Sequence, residues 1–420
     1  MCVNVLSVFN LQGHYLCRGK VLSSVSLLFV LMLVSSCFVP MFSDVSPFAL
    51  GASNTVVSNE MELKVAINNA PLNVSVVIAF DRDITITNPL EILEGKDITL
   101  TSTATGGDEF YKLTCLKAAP EGHFYNTILV RPGGILRLDG VIVTHELGSA
   151  GCGVSVYGTL IMYSGEISGN TCSGVDNSGI FELYGGKISG NTAVNGGGVH
   201  NSGFFKMFGG EISGNTANAY GGGVYNNCRN FDILKSGFIL FDGIISNNHA
   251  DSEGGGVYSQ GSQITMLGGT ISYNTASNIG GGVSFRDSFV EKFCSFELSG
   301  GVISSNTAKH SGGGVSNIQG IFTMSGGKIS KNTISHDGYG GGVSNYRGTF
   351  KLSGGAISSN TASKGGNDVY NKDSEVYYFG VKEGVIYCVS IVFVLFGVVV
   401  AVMSFMFKKR RKLCGRKIDA

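Results

Sequence analysis

The chain has 420 residues, 63 of them glycine and only 6 proline, and its 30 basic residues balance 30 acidic ones. Glycine at about twice its usual share without proline excludes a collagen-like repeat, and 43% apolar residues exclude a solvated, disordered chain. A net charge of zero with 14% charged residues leaves no footprint for nucleic acid.

From the N-terminus, Arg18 and Lys20 precede the apolar run VLSSVSLLFVLMLVSSCFV, the pattern of a secretory signal after a long leader. This assigns 1–52 to a signal segment, cleaved near Ala49 or Ala52; the alternative is a lipobox at Val34–Cys37 with lipid on Cys37. Residues 53–150 hold a helical patch, EMELKVAINNA at 60–70, then strand-like runs such as VSVVIAF, DITLTS and ILRLDGVIVT. These read as irregular first rungs of a solenoid, with the helix covering its open end.

Over 151–371 one segment recurs: GEISGNT at 165, GGKISGNT at 185, GGEISGNT at 209, GGTISYNT at 268, GGVISSNT at 300, GGKISKNT at 326 and GGAISSNT at 354, with a degenerate copy, GIISNNH, at 243. Its asparagines are Asn170, Asn191, Asn215, Asn248, Asn274, Asn306, Asn332 and Asn360, spaced by 21, 24, 33, 26, 32, 26 and 28 residues. Two elements keep phase with it: an aromatic-aliphatic pair such as Phe205 and Met207, and a glycine run ending in V-x-N, as at Val224 and Asn226. Three short period-two strands joined by glycine corners predict an all-β, right-handed parallel β-helix. The eight asparagines, and a second set (Asn177, Asn201, Asn226, Asn317, Asn345 and Asn371), are expected to stack as structural ladders.

After a linker at 372–384, the run from Val385 to Phe407 has no charge between Ile386 and its end and is long enough for one transmembrane helix. The basic tail at 408–420, opening with KKRRK, places the C-terminus in the cytoplasm and the solenoid outside, on a single-pass anchor in the cell membrane. Of ten cysteines, five fall in the exported part, an odd number that specifies no disulfide scaffold and leaves the fold to packing.

The order of ISGNT followed by GGGV, as in Ile188–Asn191 and Gly196–Val199, resembles the paired FxxN and GGAI repeats of chlamydial polymorphic outer membrane proteins. The resemblance covers Gly151 to Asn371 and extends to β-helix adhesin-like surface proteins of archaea and bacteria. It implies a β-helix at the cell surface. The chain departs from the chlamydial pattern in ending with one apolar helix instead of an outer-membrane barrel, which argues against autotransport and for a single-membrane envelope.

β-Helices also include pectate lyases and polygalacturonases, whose chemistry needs paired carboxylates or clustered Asp with calcium and a base. The acids of these repeats are isolated, and Glu166 and Glu211 stand where Lys187, Thr270 and Val302 also serve. The sequence therefore predicts a non-enzymatic surface protein without cofactor or metal, an adhesin or envelope component, with a surface polysaccharide lyase or glycoside hydrolase as the alternative. The letters GGDEF at Gly106–Phe110 lie outside the cytoplasmic α/β context that signature requires. The two long spacings mark insertions after the V-x-N strand, at Asn227–Ser236 and Arg286–Cys294. They are the candidate contact loops for a surface glycan or protein, through Arg229, Phe231 and Lys235 in one and Arg286, Phe289 and Lys292 in the other, and Cys228 with Cys294 is a candidate disulfide across them.

Overall fold

The computed structural model describes residues 55–104, 110–116, 126–146, 151–227, 237–287, 294–378 and 381–382. The chain winds as a β-solenoid, and among the described residues its strands form four stacked sheets. Sheet 1 has fourteen strands, from Thr55–Val57 to Val381–Lys382. Sheets 2 and 3 have eleven each, from Ile84–Ile86 to Ala356–Ser358 and from Leu90–Ile92 to Val369–Lys372. Sheet 4 has six, from Thr192–Asn195 to Thr333–Ile334. A mid-solenoid turn runs Phe204–Met207 in sheet 1, Glu211–Ser213 in sheet 2, Thr216–Tyr220 in sheet 4 and Val224–Asn227 in sheet 3. Each strand pairs in parallel with its equivalent one turn later, as Phe205 does with Phe238 and Ile212 with Ile245.

Alternation along each strand fixes what faces inward. Sheet 1 stacks Phe181 on Phe205 and Phe205 on Phe238, ring centroids 4.8 Å apart in both pairs, and lower in the chain Phe296 on Phe322 on Phe350. Sheet 2 contributes the row Ile188, Ile212, Ile245, Ile271 and Ile303, and sheet 3 the row Val199, Val224, Val257, Val283 and Val315, all buried in one continuous core. Each inward Phe, Met, Ile or Val contributes roughly 1.5–3 kcal/mol. Their burial is completed only by the rungs above and below, so stability accrues with stacking.

The fourth sheet is a departure from three strands per rung. After six of the eight ladder asparagines, Asn191 to Asn332, a short segment such as Thr275–Ala276 or Thr307–Ala308 forms a strand of its own. Four of the six are two residues long, too short for any periodicity that a sequence can display. Beyond it the chain bends back over sheet 3, and isolated bridges align Tyr220, Glu253, Ile279, Ser311 and Tyr339. The glycine run follows. Gly280 has φ +66°, and a Cβ on Gly281 would lie 2.5 Å from the Thr307 carbonyl of the next rung, so this corner admits only glycine.

At the N-terminal end, helix α1 (Glu60–Asn69) begins at Asn59, whose side chain accepts the Glu62 N–H at 3.0 Å, and has acids in its first turn. Its Leu63 and Ile67 join the core beside Ile78 and Phe80. At the other end the strand Val381–Lys382 folds back antiparallel on Glu375–Tyr378, which terminates the parallel order of sheet 1. Among the described residues no helix is long and apolar enough to cross a membrane. The expected signal at 1–52 and the expected membrane helix at 385–407 lie outside the described residues.

The expectation that packing holds the fold without staples needs correction. Cys152 and Cys172 are bonded, with Cα atoms 4.6 Å apart. Both stand just before a sheet 3 strand, Val154–Val156 and Val175–Asn177, so the bond ties two successive rungs at the same corner.

Candidate functional site

The eight repeat asparagines sit at the corner between sheets 2 and 4 and form one continuous ladder. Asn170 Nδ2 donates to Asn191 Oδ1 at 2.8 Å, and each following member donates to the next at 3.0 Å as far as Asn360. From Asn191 on, each Oδ1 also accepts the backbone N–H of the preceding member, as Asn274 Oδ1 does from Asn248 at 3.0 Å. Over the same members each Nδ2 also donates to an isoleucine carbonyl one rung back, as Asn274 does to Ile245 at 2.9 Å. The ladder therefore has a direction, and it ends on Asp368, a pure acceptor, at 2.9 Å from Asn360 Nδ2. From Asn191 on, the amides are buried and saturated; they hold rungs together and offer nothing to a ligand.

The second ladder, at the corner of sheets 3 and 1, is broken. Asn177 donates to Asn201 and Asn201 to Asn226, then Asn226 to Ser259; the asparagines resume with Asn317, Asn345 and Asn371. At the break, Phe285 stands in the asparagine position and turns into the core, edge-on to Phe296 and Phe322. Cys294, in the corner position that Gly320 takes one rung later, points its thiol at the Ser262 carbonyl, 3.3 Å away. The break, at Ser259 and Phe285, lies between the starts of the two long insertions, which follow Asn226 and Phe285.

Of the residues assigned to those insertions, Cys228, Arg229, Phe231, Lys235, Phe289 and Lys292 lie outside the described residues, while Arg286 and Cys294 are described. The candidate Cys228–Cys294 disulfide is not made: Cys294 is a free, fully buried thiol, and burial pushes its pKa up to about 12. Its side chain has turned inward to fill the space left by the missing ladder amide, away from a surface partner.

Arg286 is not a free contact cation either. Its Nη2 donates to Glu253 Oε1 at 2.5 Å, while Ser284 Oγ donates to Glu253 Oε2 at 3.1 Å. Glu253 is 5% exposed, and burial raises its carboxyl above the usual range although Arg286 opposes the shift. The ion pair is covered by an aromatic cluster: Tyr258 stacks on Tyr220 at 4.8 Å and on Tyr225 at 5.5 Å, and His200 meets Tyr225 edge-on at 5.0 Å. Burial also pushes the Tyr258 phenol upward. This outward row of sheet 3, running Asp176, His200, Tyr225, Tyr258 and Ser284 in register, has no counterpart in the sequence reading. Its only signal is the middle letter of V-x-N, which varies from rung to rung. The fold-back of the sheet 4 corner buries it.

Beside His200, an open cleft of about 250 Å³ is lined by Cys172, Ser173, Asn195 and Asn218. Asp176 Oδ1 lies 3.5 Å from His200 Nδ1 at its edge. Among the described residues no three His, Cys, Asp or Glu side chains converge as a metal site would require. Three further acids of the repeats sit against a neighbouring rung: Glu182 with Lys206 at 3.1 Å, Glu211 with Lys187 at 3.9 Å, and Glu166 with Ser189. No protein-family model, no curated protein and no solved structure matches this chain.

Proposed function

We propose that the chain is a non-enzymatic, membrane-anchored cell-surface protein, adhesin-like or part of the envelope. Its β-solenoid would stand outside as a rigid recognition stalk, with the basic tail inside. The observation that carries this reading is the use made of buried polar side chains: the asparagines of the long ladder and the Glu253–Arg286 pair are spent on bonds between successive rungs. A row used for cohesion is the hallmark of a scaffold, and it leaves recognition to surface features that differ from rung to rung. The apolar run and basic cluster at the C-terminus support the anchor and its orientation. A glycan array probed with the full-length chain, alongside turnover assays on the same polysaccharides, tests the proposal. Retention without cleavage is the expected result, and cleavage of any glycan would overturn it.

A surface polysaccharide lyase or hydrolase is the second reading, favoured by one observation: Glu253 has a raised pKa beside a cation and a tyrosine, as a general acid would. Against it, both Glu253 oxygens are engaged and its side chain is buried. Glu253→Gln would abolish turnover on this second reading and leave binding unchanged on the first.

A further inference from the structure

The corner between sheets 1 and 2 carries an exposed apolar stripe that no function above absorbs. Tyr163, Tyr184, Phe208 and Phe241 follow one another up the solenoid with ring centroids 5.5, 4.6 and 4.6 Å apart, and Leu267 continues the row. Tyr184 is 44% exposed, Phe241 37% and Leu267 45%, and Ile244 beside Phe241 is 45% exposed. A contiguous apolar stripe on an otherwise polar surface marks a contact site.

Two features of the stripe decide what it contacts. The rings lie nearly parallel, 11° between planes for Tyr184 with Phe208 and for Phe208 with Phe241, so their faces cover one another and only edges look outward. A sugar ring, which stacks on an aromatic face, finds none here. Secondly, the stripe is flanked by an alternating set of four charges. Glu182 and Lys206 are in register on the sheet 1 side, and Lys187 and Glu211 are in register on the sheet 2 side. Glu182 and Lys187 flank Tyr184 in one rung; Lys206 and Glu211 flank Phe208 in the next.

This pattern is self-complementary. A two-fold axis along the solenoid sets Glu182 against Lys187 of a second copy and Lys206 against Glu211. A two-fold axis across the solenoid sets Glu182 against Lys206 and Lys187 against Glu211. Either closed arrangement joins opposite charges around a shared apolar seam, the composition of an isologous interface. A lipid surface, by contrast, would call for a net basic patch, and these four charges sum to zero. We infer that this corner is the docking surface for a second copy of the same chain, an inference that does not depend on what the solenoid binds.

The test is the mass of the full-length chain in mild detergent by sedimentation equilibrium. The wild type is expected to be a dimer. K187E/K206E, which makes all four flanking charges acidic without touching the rings, should raise the dissociation constant at least about tenfold. E182K/K187E/K206E/E211K, which reverses all four and restores the alternation, should recover the dimer. Phe208→Ser with Phe241→Ser, checked for an unchanged circular dichroism spectrum, should weaken it at least as much. A monomeric wild type overturns the inference. So does a mass that stays dimeric in K187E/K206E, because the charges then act only within the chain.

Discussion

The direction of the long asparagine ladder makes an unusual prediction at Asn274, midway along it. Its side chain makes four bonds: Nδ2 to Ile245 O and Asn306 Oδ1, and Oδ1 from the backbone and side-chain amides of Asn248. In Asn274→Ala, Asn248 Nδ2 keeps Ile212 O and Asn306 Oδ1 keeps the Asn274 backbone N–H, but the Asn248 backbone N–H loses its ladder acceptor. One orphaned buried donor costs about 1–3 kcal/mol and the remaining lost bonds about 0.5–1.5 each, so the substitution should cost about 4 kcal/mol. Asn274→Asp keeps the size and still accepts from Asn248. It would, however, face Ile245 O and Asn306 Oδ1 with a second acceptor and bury a charge, and should therefore cost more than alanine. Only at Asp368, where the ladder stops donating, is a carboxylate in place. Urea unfolding at neutral pH, followed by far-ultraviolet circular dichroism because the chain has no tryptophan, measures both. An Asp variant no worse than Ala, or an Ala variant costing less than about 1 kcal/mol, would refute the assignment of cohesion to a directed ladder.

Three further outcomes follow from particular groups. Because burial raises the Glu253 carboxyl, its contribution to stability is fully present below 4.5 and is lost as pH rises through the folded value. Arg286→Met removes the opposing cation, so it should cost about 3–5 kcal/mol at pH 7 and much less at pH 4, where the carboxyl is protonated; equal costs at the two pH values would contradict the buried pair. Cys294, its thiol pushed up to about 12 against an ordinary 9.0, should resist alkylation in the folded protein at pH 8 and react after unfolding, as read by peptide mass mapping. Its stability contribution should hold below pH 9 and decline above it. Gly281→Ala would drive a methyl into the Thr307 carbonyl and should lower the unfolding midpoint by the equivalent of about 2 kcal/mol or more, whereas Gly214→Ala, which meets no atom within 4 Å, should cost mainly its positive φ, about 1 kcal/mol.

Much of this fold was legible because the inward rows are written in phase. Phe205 with Met207, Ile212, and Val224 with Asn226 recur at matching offsets, and the structure sets each in register with its copies. The sheet 4 strands escaped because Thr275–Ala276 is too short to alternate. The Tyr220, Tyr225 and Tyr258 cluster escaped for a different reason: its burial comes from a bend that brings the corner over sheet 3, a tertiary event with no local signature. The same holds for the disulfide. Cys152 and Cys172 share a corner once the rungs are aligned, yet among ten cysteines their spacing alone singles out no pair. At the insertions the sequence marked the right rungs through their length. It could not tell that Phe285 and Cys294 turn inward there to replace a ladder amide, since an aromatic and a cysteine beside a long loop read equally well as surface groups.

The proposed arrangement, a solenoid held outside the cell by a C-terminal anchor, is tested most directly by protease treatment of intact cells producing the full-length chain with a C-terminal epitope. With that arrangement, external protease should reach the solenoid at 55–378 while a fragment carrying the epitope survives until the cells are lysed. A solenoid protected in intact cells, or an epitope removed without lysis, would contradict it.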